Sequence, residues 1–144
     1  MRPGGQEPAT RITFTPSEAD FTAIFRPLDD ETARIIGPGA IQPVAVLLHD
    51  DAGSVTGGCW GRIVYRWLVI EMLFVPPALR GQGAGAALLR HAQAAARARN
   101  CIGIQLTRLD FQAPGFYERH GFTVFAEQPD VPPGHTCFYL LKRL

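Results

Sequence analysis

The segment Arg80-Gly81-Gln82-Gly83-Ala84-Gly85 sets three glycines in six residues, directly ahead of a long alanine-rich run. Upstream lies an apolar stretch closed by Pro76-Pro77. Strand, proline turn, glycines, helix: that order leaves unhindered backbone N–H groups at a helix N-terminus. The first amides of a helix have no intrahelical partner, and the positive end of the helix dipole lies there, so such a terminus attracts anions. Glycines let a phosphate approach the backbone with no Cβ in its way. A phosphate cradle is the leading reading, and a purely structural turn is the plain one. A dinucleotide turn also competes, because Gly81-x-Gly83-x-x-Ala86 fits a loose G-x-G-x-x-G/A pattern. Against it, five residues separate the strand end from the first glycine, and too little chain follows Asn100 for the remaining parallel strands. A nucleoside triphosphate loop is excluded, since no Gly-Lys-Ser/Thr follows.

Glu71 interrupts the apolar run Trp67–Val75. A carboxylate there cannot be buried alone without a cost of several kcal/mol or a raised pKa. Either it pairs with a basic side chain, or it lines a cleft as a base or an anchor for an amine. Strand alternation puts Trp67, Val69, Glu71 and Leu73 on one face, so Trp67 is a candidate wall of the same pocket. Among the histidines, His135 follows Pro132-Pro133-Gly134 in a loop and is a candidate base or substrate contact; His49, His91 and His120 read as surface or cap residues. No metal is expected, because no histidine pair has ligand spacing with a carboxylate or cysteine. Cys59, Cys101 and Cys137 are widely spread, without Cys-x-x-Cys spacing or an adjacent helix N-terminus. They read as small core residues, not nucleophiles.

These residues need a frame. Residues 1–10 read as a loose tail and Arg11–Phe14 as a first strand. Thr15-Pro16-Ser17-Glu18 signals a helix start with Thr15 as cap and Glu18 closing a capping box, the helix running to about Phe25. A second short helix is expected from Asp29 to Ile36, stopped by Gly37-Pro38-Gly39. Pro43–His49 and Ser54–Tyr65, joined by Asp50-Asp51-Ala52-Gly53, form an antiparallel hairpin. Trp67–Val75 is a central strand covered on both faces. The helix after the glycines reaches about Asn100 with Leu88, Ala92 and Ala95 as its apolar stripe. Ile102–Thr107 is another strand, Ala113–His120 a short helix ended by Gly121, and Phe122–Ala126 with Thr136–Leu141 a closing pair.

At 144 residues, 47% hydrophobic and 19% charged, the chain fits one domain, 1–144, with a core of its own. A net charge of +1 gives no reason to expect nucleic acid or a membrane as partner. The N-terminal residues lack the apolar stretch of a secretory signal, and the cysteine usage suits a reducing compartment, so a cytoplasmic location is expected.

With the elements in place, the residues resemble the GNAT superfamily of N-acetyltransferases. Its Arg/Gln-x-x-Gly-x-Gly/Ala signature is matched by Arg80, Gly83 and Gly85. Leu73-Phe74-Val75-Pro76-Pro77-Ala78-Leu79-Arg80 is similar to the family's strand, proline and arginine; Phe116-Tyr117-Glu118-Arg119-His120-Gly121-Phe122 is similar to its Phe-Tyr-x-x-x-Gly-Phe segment. Phe111–Tyr117, Pro132-Pro133-Gly134-His135 and Lys142-Arg143-Leu144 resemble one branch of small bacterial members. The likeness spans the chain from Gln42 onward and is only topological before it.

The resemblance implies an α+β fold: a mixed central sheet of six to seven strands, splayed in the middle and flanked by about four helices. It implies acetyl-CoA as co-substrate, its pantetheine arm pairing like a strand with Leu73, Phe74 and Val75 and its diphosphate on the amides of Arg80, Gly81, Gln82, Gly83, Ala84 and Gly85. It implies an oxyanion donor from the backbone near Leu73 and Tyr117 as general acid, Tyr117 being otherwise an amphipathic core residue beside Phe116 and Phe122. Where the family often has asparagine, this chain has Asp110, which lacks amide donors; that cofactor contact is not carried over. The expected activity is direct transfer of an acetyl group to a primary amine of a small molecule or peptide, in a ternary complex; a homodimer through the last hairpin is compatible with the resemblance. The competing classes are a non-catalytic acyl-CoA-binding module or sensor and a nicotinamide-dependent oxidoreductase.

Overall fold

A computed structural model describes residues 4–144. The chain divides into two compact units, one ending at Gly39 and one spanning Ala40–Leu144. In the first unit, residues 4–13 have no helix or strand, so the strand expected at Arg11–Phe14 does not form. The first three residues of the expected loose tail lie outside the described ones. One continuous helix, α1 (Glu18–Ile36), replaces the two short ones expected. Its cap is Ser17, not Thr15: the Ser17 hydroxyl accepts the Asp20 N–H at 3.1 Å, and the Asp20 carboxylate accepts the Ser17 N–H at 2.9 Å. The box therefore closes through Asp20 instead of Glu18, two residues later than the sequence suggested. Pro27 sits inside the helix without ending it.

The second unit carries six strands among the described residues: β1 (Gln42–His49), β2 (Val55–Val64), β3 (Trp67–Phe74), β4 (Gly103–Leu109), β5 (Thr123–Pro129) and β6 (Thr136–Arg143). They form one sheet in the order β1-β2-β3-β4-β6-β5. All neighbours are antiparallel except β3 and β4, which are parallel. A parallel pair needs a crossover, and here it runs through a 3-10 turn (Pro77–Leu79) and α2 (Ala84–Ala98). A single turn of helix, α3 (Phe116–Arg119), precedes β5. The turn of the β1–β2 hairpin is held by Asp50, whose carboxylate accepts the N–H groups of Ala52 (2.9 Å) and Ser54 (2.8 Å).

One face of the sheet carries the core. Leu68, Ile70, Ile104, Leu106 and Leu140 meet Leu88, Leu89, Ala92 and Ala96 of α2, all buried. The helical stripe thus runs through Ala96, with the expected Ala95 only half-buried. All three cysteines are free and buried.

The pairing of β2 with β3 contains a bulge. Trp60 faces Met72 and Gly61 faces Ile70, which leaves Glu71 as an extra residue with no Cα partner. One inserted residue reverses which face the following side chains take. Before it, Leu68 and Ile70 face the core opposite Ile63 and Gly61; after it, Leu73 does, opposite Cys59. The expected alternation of Trp67, Val69, Glu71 and Leu73 on one face is therefore broken at Glu71, and Leu73 lies on the other side. Gly61 is required here, because a Cβ on it would overlap the Val69 carbonyl oxygen.

Candidate active site

Strands β3 and β4 part in mid-sheet. They pair from Trp67–Gly103 to Ile70–Leu106 and no further. Beyond that point β3 continues against β2 to Phe74, and β4 continues against β6 to Leu109. A wedge opens between them, lined on one side by the edge of Glu71–Phe74 and on the other by that of Thr107–Leu109. Backbone groups along these edges have no ladder partner across the gap and need one from water or a ligand.

At the mouth of the wedge the chain turns into α2. The Arg80 guanidinium donates to the Val75 carbonyl at 3.0 Å, and the Gln82 amide donates to the Ala78 carbonyl at 2.9 Å. Both side chains brace the loop from within, which leaves its backbone as the recognition surface. Gly81 and Gly83 have φ of 74° and 83°, in the left-handed region that favours glycine, and no atom lies within 4 Å of where a Cβ would stand on either. Gly83 caps α2 with no side-chain cap bond, and the first amide of the helix to find a backbone acceptor is that of Ala87, on Gly83. Of the amides expected to hold a diphosphate, that of Arg80 is taken by the Pro77 carbonyl at 3.3 Å, while those of residues 81–85 have no backbone acceptor among the described residues and can receive oxygen atoms of a diphosphate. The residues present fit such a group.

Tyr117 of α3 is buried against the core, its ring edge-on to Phe116 (5.1 Å) and Phe122 (5.8 Å). Among the described residues nothing hydrogen-bonds its hydroxyl. Burial pushes its pKa up to about 12, the nearby Cys59 adds to the shift, and Arg108 opposes it. Burial likewise pushes the Cys59 thiol up to about 11, so it stays protonated at neutral pH and is a poor nucleophile.

Glu71 is exposed, not buried. Its carboxylate accepts from the Arg62 guanidinium of β2 at 2.8 Å, both side chains being more than two-fifths accessible. Trp67 lies elsewhere, in a shallow hollow with Gln105, Phe125 and Leu141.

Three features went unrecognised in the sequence. Arg108 is only 9% exposed; its Nη2 donates to Glu118 at 2.7 Å and its guanidinium lies 4.6 Å over the Phe138 ring. Its Nε and the Glu118 Oε2 are buried without partners. The alternation Ile104, Leu106, Arg108 was the available signal, since it puts a charge in a core position. Arg62 and the bulge had no such marker. The third feature is a pair at the end of β4: Asp110 Oδ1 meets His135 Nδ1 at 2.9 Å, and Asp110 Oδ2 accepts the Thr136 N–H at 2.9 Å. Nothing in the sequence marks His135 and Asp110 as partners, since they lie on separate elements. Among the described residues no cluster of three or more His, Cys, Asp or Glu side chains is arranged to hold a metal ion, and no helix is long and apolar enough to cross a membrane.

A parted mixed sheet with an anion-receiving turn at its opening defines a class. The sequence profile of the acetyltransferase (GNAT) domain matches residues 42–124. A blasticidin-S acetyltransferase of Streptomyces morookaense is 43% identical over 105 residues, covering 72% of this chain and 77% of its own length. An acetyltransferase of Agrobacterium fabrum is 35% identical over 121 residues, covering 84% and 88%. The crystal structure of an Agrobacterium tumefaciens acetyltransferase superposes with a TM-score of 0.88 at 31% identity, covering 94% and 99%. The chain belongs to the GNAT superfamily. It is an N-acetyltransferase, and its co-substrate is acetyl-CoA.

Proposed function

We propose that this enzyme acetylates a primary amine on a small molecule of the antibiotic type, by direct attack within a ternary complex, and works as one domain in the cytoplasm. The observation that carries this reading is the wedge between β3 and β4, with free amides at its mouth and Tyr117 against its core face. The likeness to a blasticidin-S acetyltransferase over most of both chains supports a small-molecule acceptor over a peptide.

The amides of residues 81–85 hold the diphosphate, and the edge of Leu73, Phe74 and Val75 holds the cofactor arm. Bound there, acetyl-CoA supplies an activated thioester. Tyr117 keeps its proton at neutral pH and delivers it from the hydroxyl to the departing sulfur; an ordinary thiol, with a pKa near ~8.5, is a stronger acid than this phenol, so the transfer is uphill by itself and is drawn forward by the proton that Tyr117 recovers from the attacking nitrogen. Glu71, exposed beside the bulge, draws the cationic end of the acceptor. Direct transfer is supported by the raised Cys59 thiol, which offers no acyl-enzyme route.

The test is release of free coenzyme A from acetyl-CoA with a panel of blasticidin S, nourseothricin, an aminoglycoside, putrescine and an alanine-initial peptide. Turnover with a small-molecule amine and intersecting initial-rate lines are expected. Turnover with the peptide alone, or parallel lines, would refute the acceptor class or the ternary complex respectively.

A further inference from the structure

Tyr117 holds its own proton at rest, and the Glu71 carboxylate is engaged by Arg62 at 2.8 Å, so the proton of the acceptor needs another destination. The Asp110–His135 pair follows directly on the wedge edge Thr107–Leu109: Asp110 comes immediately after β4, and His135 belongs to the loop that enters β6 on the far side of that strand. The imidazole is held on several sides. Asp110 takes Nδ1, the Phe111 ring lies edge-on at 4.9 Å, and the backbone of His135 is tied to Pro132 and Val131 by bonds of 2.9 and 3.1 Å. A carboxylate only accepts, so a neutral imidazole must donate from Nδ1 and keep its lone pair on Nε2. Among the described residues nothing bonds Nε2, and the side chain is nearly half exposed. Asp110 is itself pinned: the Thr136 N–H, and then His135, hold its carboxyl below the usual range. The carboxylate in contact with the ring is Asp110; Asp130, on the same loop as His135, accepts the Gly134 N–H at 3.3 Å, and no Lys or Arg among the described residues forms an ion pair with either.

We propose that His135 is the general base for the acceptor amine and that Asp110 is the positioning residue that fixes its tautomer. The inference rests on the transferase reading above. An ammonium group gives one proton to Nε2, and the imidazolium later passes it to water. The freed nitrogen bonds to the acetyl carbonyl carbon as the C–S bond breaks. Tyr117 protonates the sulfur and is restored by the second proton lost from nitrogen. One proton leaves per turnover, so charge and atoms balance.

The two donors, the imidazole and the Thr136 N–H, sit on different oxygens of Asp110, and Asp110→Asn turns one of those oxygens into an NH2 donor, so both contacts cannot persist in place. Asp110→Asn should therefore lower kcat with little change in acetyl-CoA affinity. The decisive experiment follows kcat/KM against pH for the panel amine with the highest turnover. His135→Gln should lose about 100-fold or more at pH 7, with acetyl-CoA affinity by calorimetry within about twofold. Its deficit should shrink as pH approaches the amine's own pKa, where the free base needs no help, and added imidazole should partly restore His135→Ala. A deficit below about threefold, or one equal at every pH, overturns the proposal. Ring nitrogen NMR of the wild-type protein gives a readout independent of turnover: an Nδ1–H tautomer at pH 8 is expected, and an Nε2–H tautomer sinks the assignment. A panel without any turnover would strike the transferase reading instead, while the tautomer still judges His135.

Discussion

The missing side chain of Gly85 and the ring of Phe116 occupy adjoining space: a Cβ on Gly85 would stand 3.1 Å from Phe116 Cζ. The third glycine of the turn thus does more than admit a phosphate. It lets α3 seat against the first turn of α2, and Phe116 in turn abuts Tyr117 and His120 (4.8 Å). The glycines accordingly divide the work. Gly83→Val should abolish acetyl-CoA binding, because it puts bulk on open backbone and costs about 1–2 kcal/mol in the left-handed conformation. Gly85→Ala should destabilise by up to about 2 kcal/mol, a helix gain of about 1 kcal/mol only partly offsetting about 1–3 kcal/mol of overpacking. Its kcat should fall more than its cofactor affinity. Calorimetry and thermal melts separate the two.

Tyr117→Phe should lower turnover by about 100-fold or more with acetyl-CoA affinity almost intact; equal losses in both would argue for packing alone. The raised phenol carries a pH signature. Its folded value of about 12 lies above the ordinary 10, so the stability it contributes is full below about pH 10 and disappears as pH climbs to about 12. Wild-type kcat should therefore show no decline from this group up to pH 11.

Glu71→Gln should change stability by less than about 0.5 kcal/mol, since an exposed ion pair is worth little. The KM of a cationic acceptor should rise severalfold, with the acetyl-CoA KM unmoved. Arg62→Gln, freeing the carboxylate, should move the acceptor KM in the opposite direction. Steady-state kinetics at low salt read both.

Glu118 predicts acid sensitivity. Its hydrogen bond from Arg108 holds its pKa below the ordinary 4.5. The associated stability is present above that value and is lost as pH falls through the lowered one. Thermal melts of wild type against Glu118→Gln should stay apart above the ordinary 4.5 and converge as pH falls from there through the lowered value.

What could be read in advance follows the physics of each element. The β1–β2 hairpin announced itself through a Val/Leu run and the Asp50–Gly53 turn, and α2 through glycines followed by alanines. The cradle was legible because its chemistry is backbone chemistry, written in glycine. The Glu71 bulge was not, because an extra residue in a strand is a property of a pair, and its only trace is Gly61, far away in sequence. A break between Phe25 and Asp29 was expected, and α1 runs through it, Pro27 included, without interruption. Asp110 and His135 are individually unremarkable; twenty-five positions separate them, and only the β4–β6 register joins them.

The parted strands also bear on how the purified protein behaves. Two inner edges in the middle of a sheet offer vacant main-chain donors and acceptors to any extended molecule, including another copy of the chain. A ligand that threads this seam supplies the lacking bonds, so saturation with coenzyme A at 100 times its dissociation constant should add about 2.7 kcal/mol of stability. Amide exchange should slow most at Met72 to Phe74 and Thr107 to Leu109, and the same occupancy should guard the protein against edge-to-edge association during concentration.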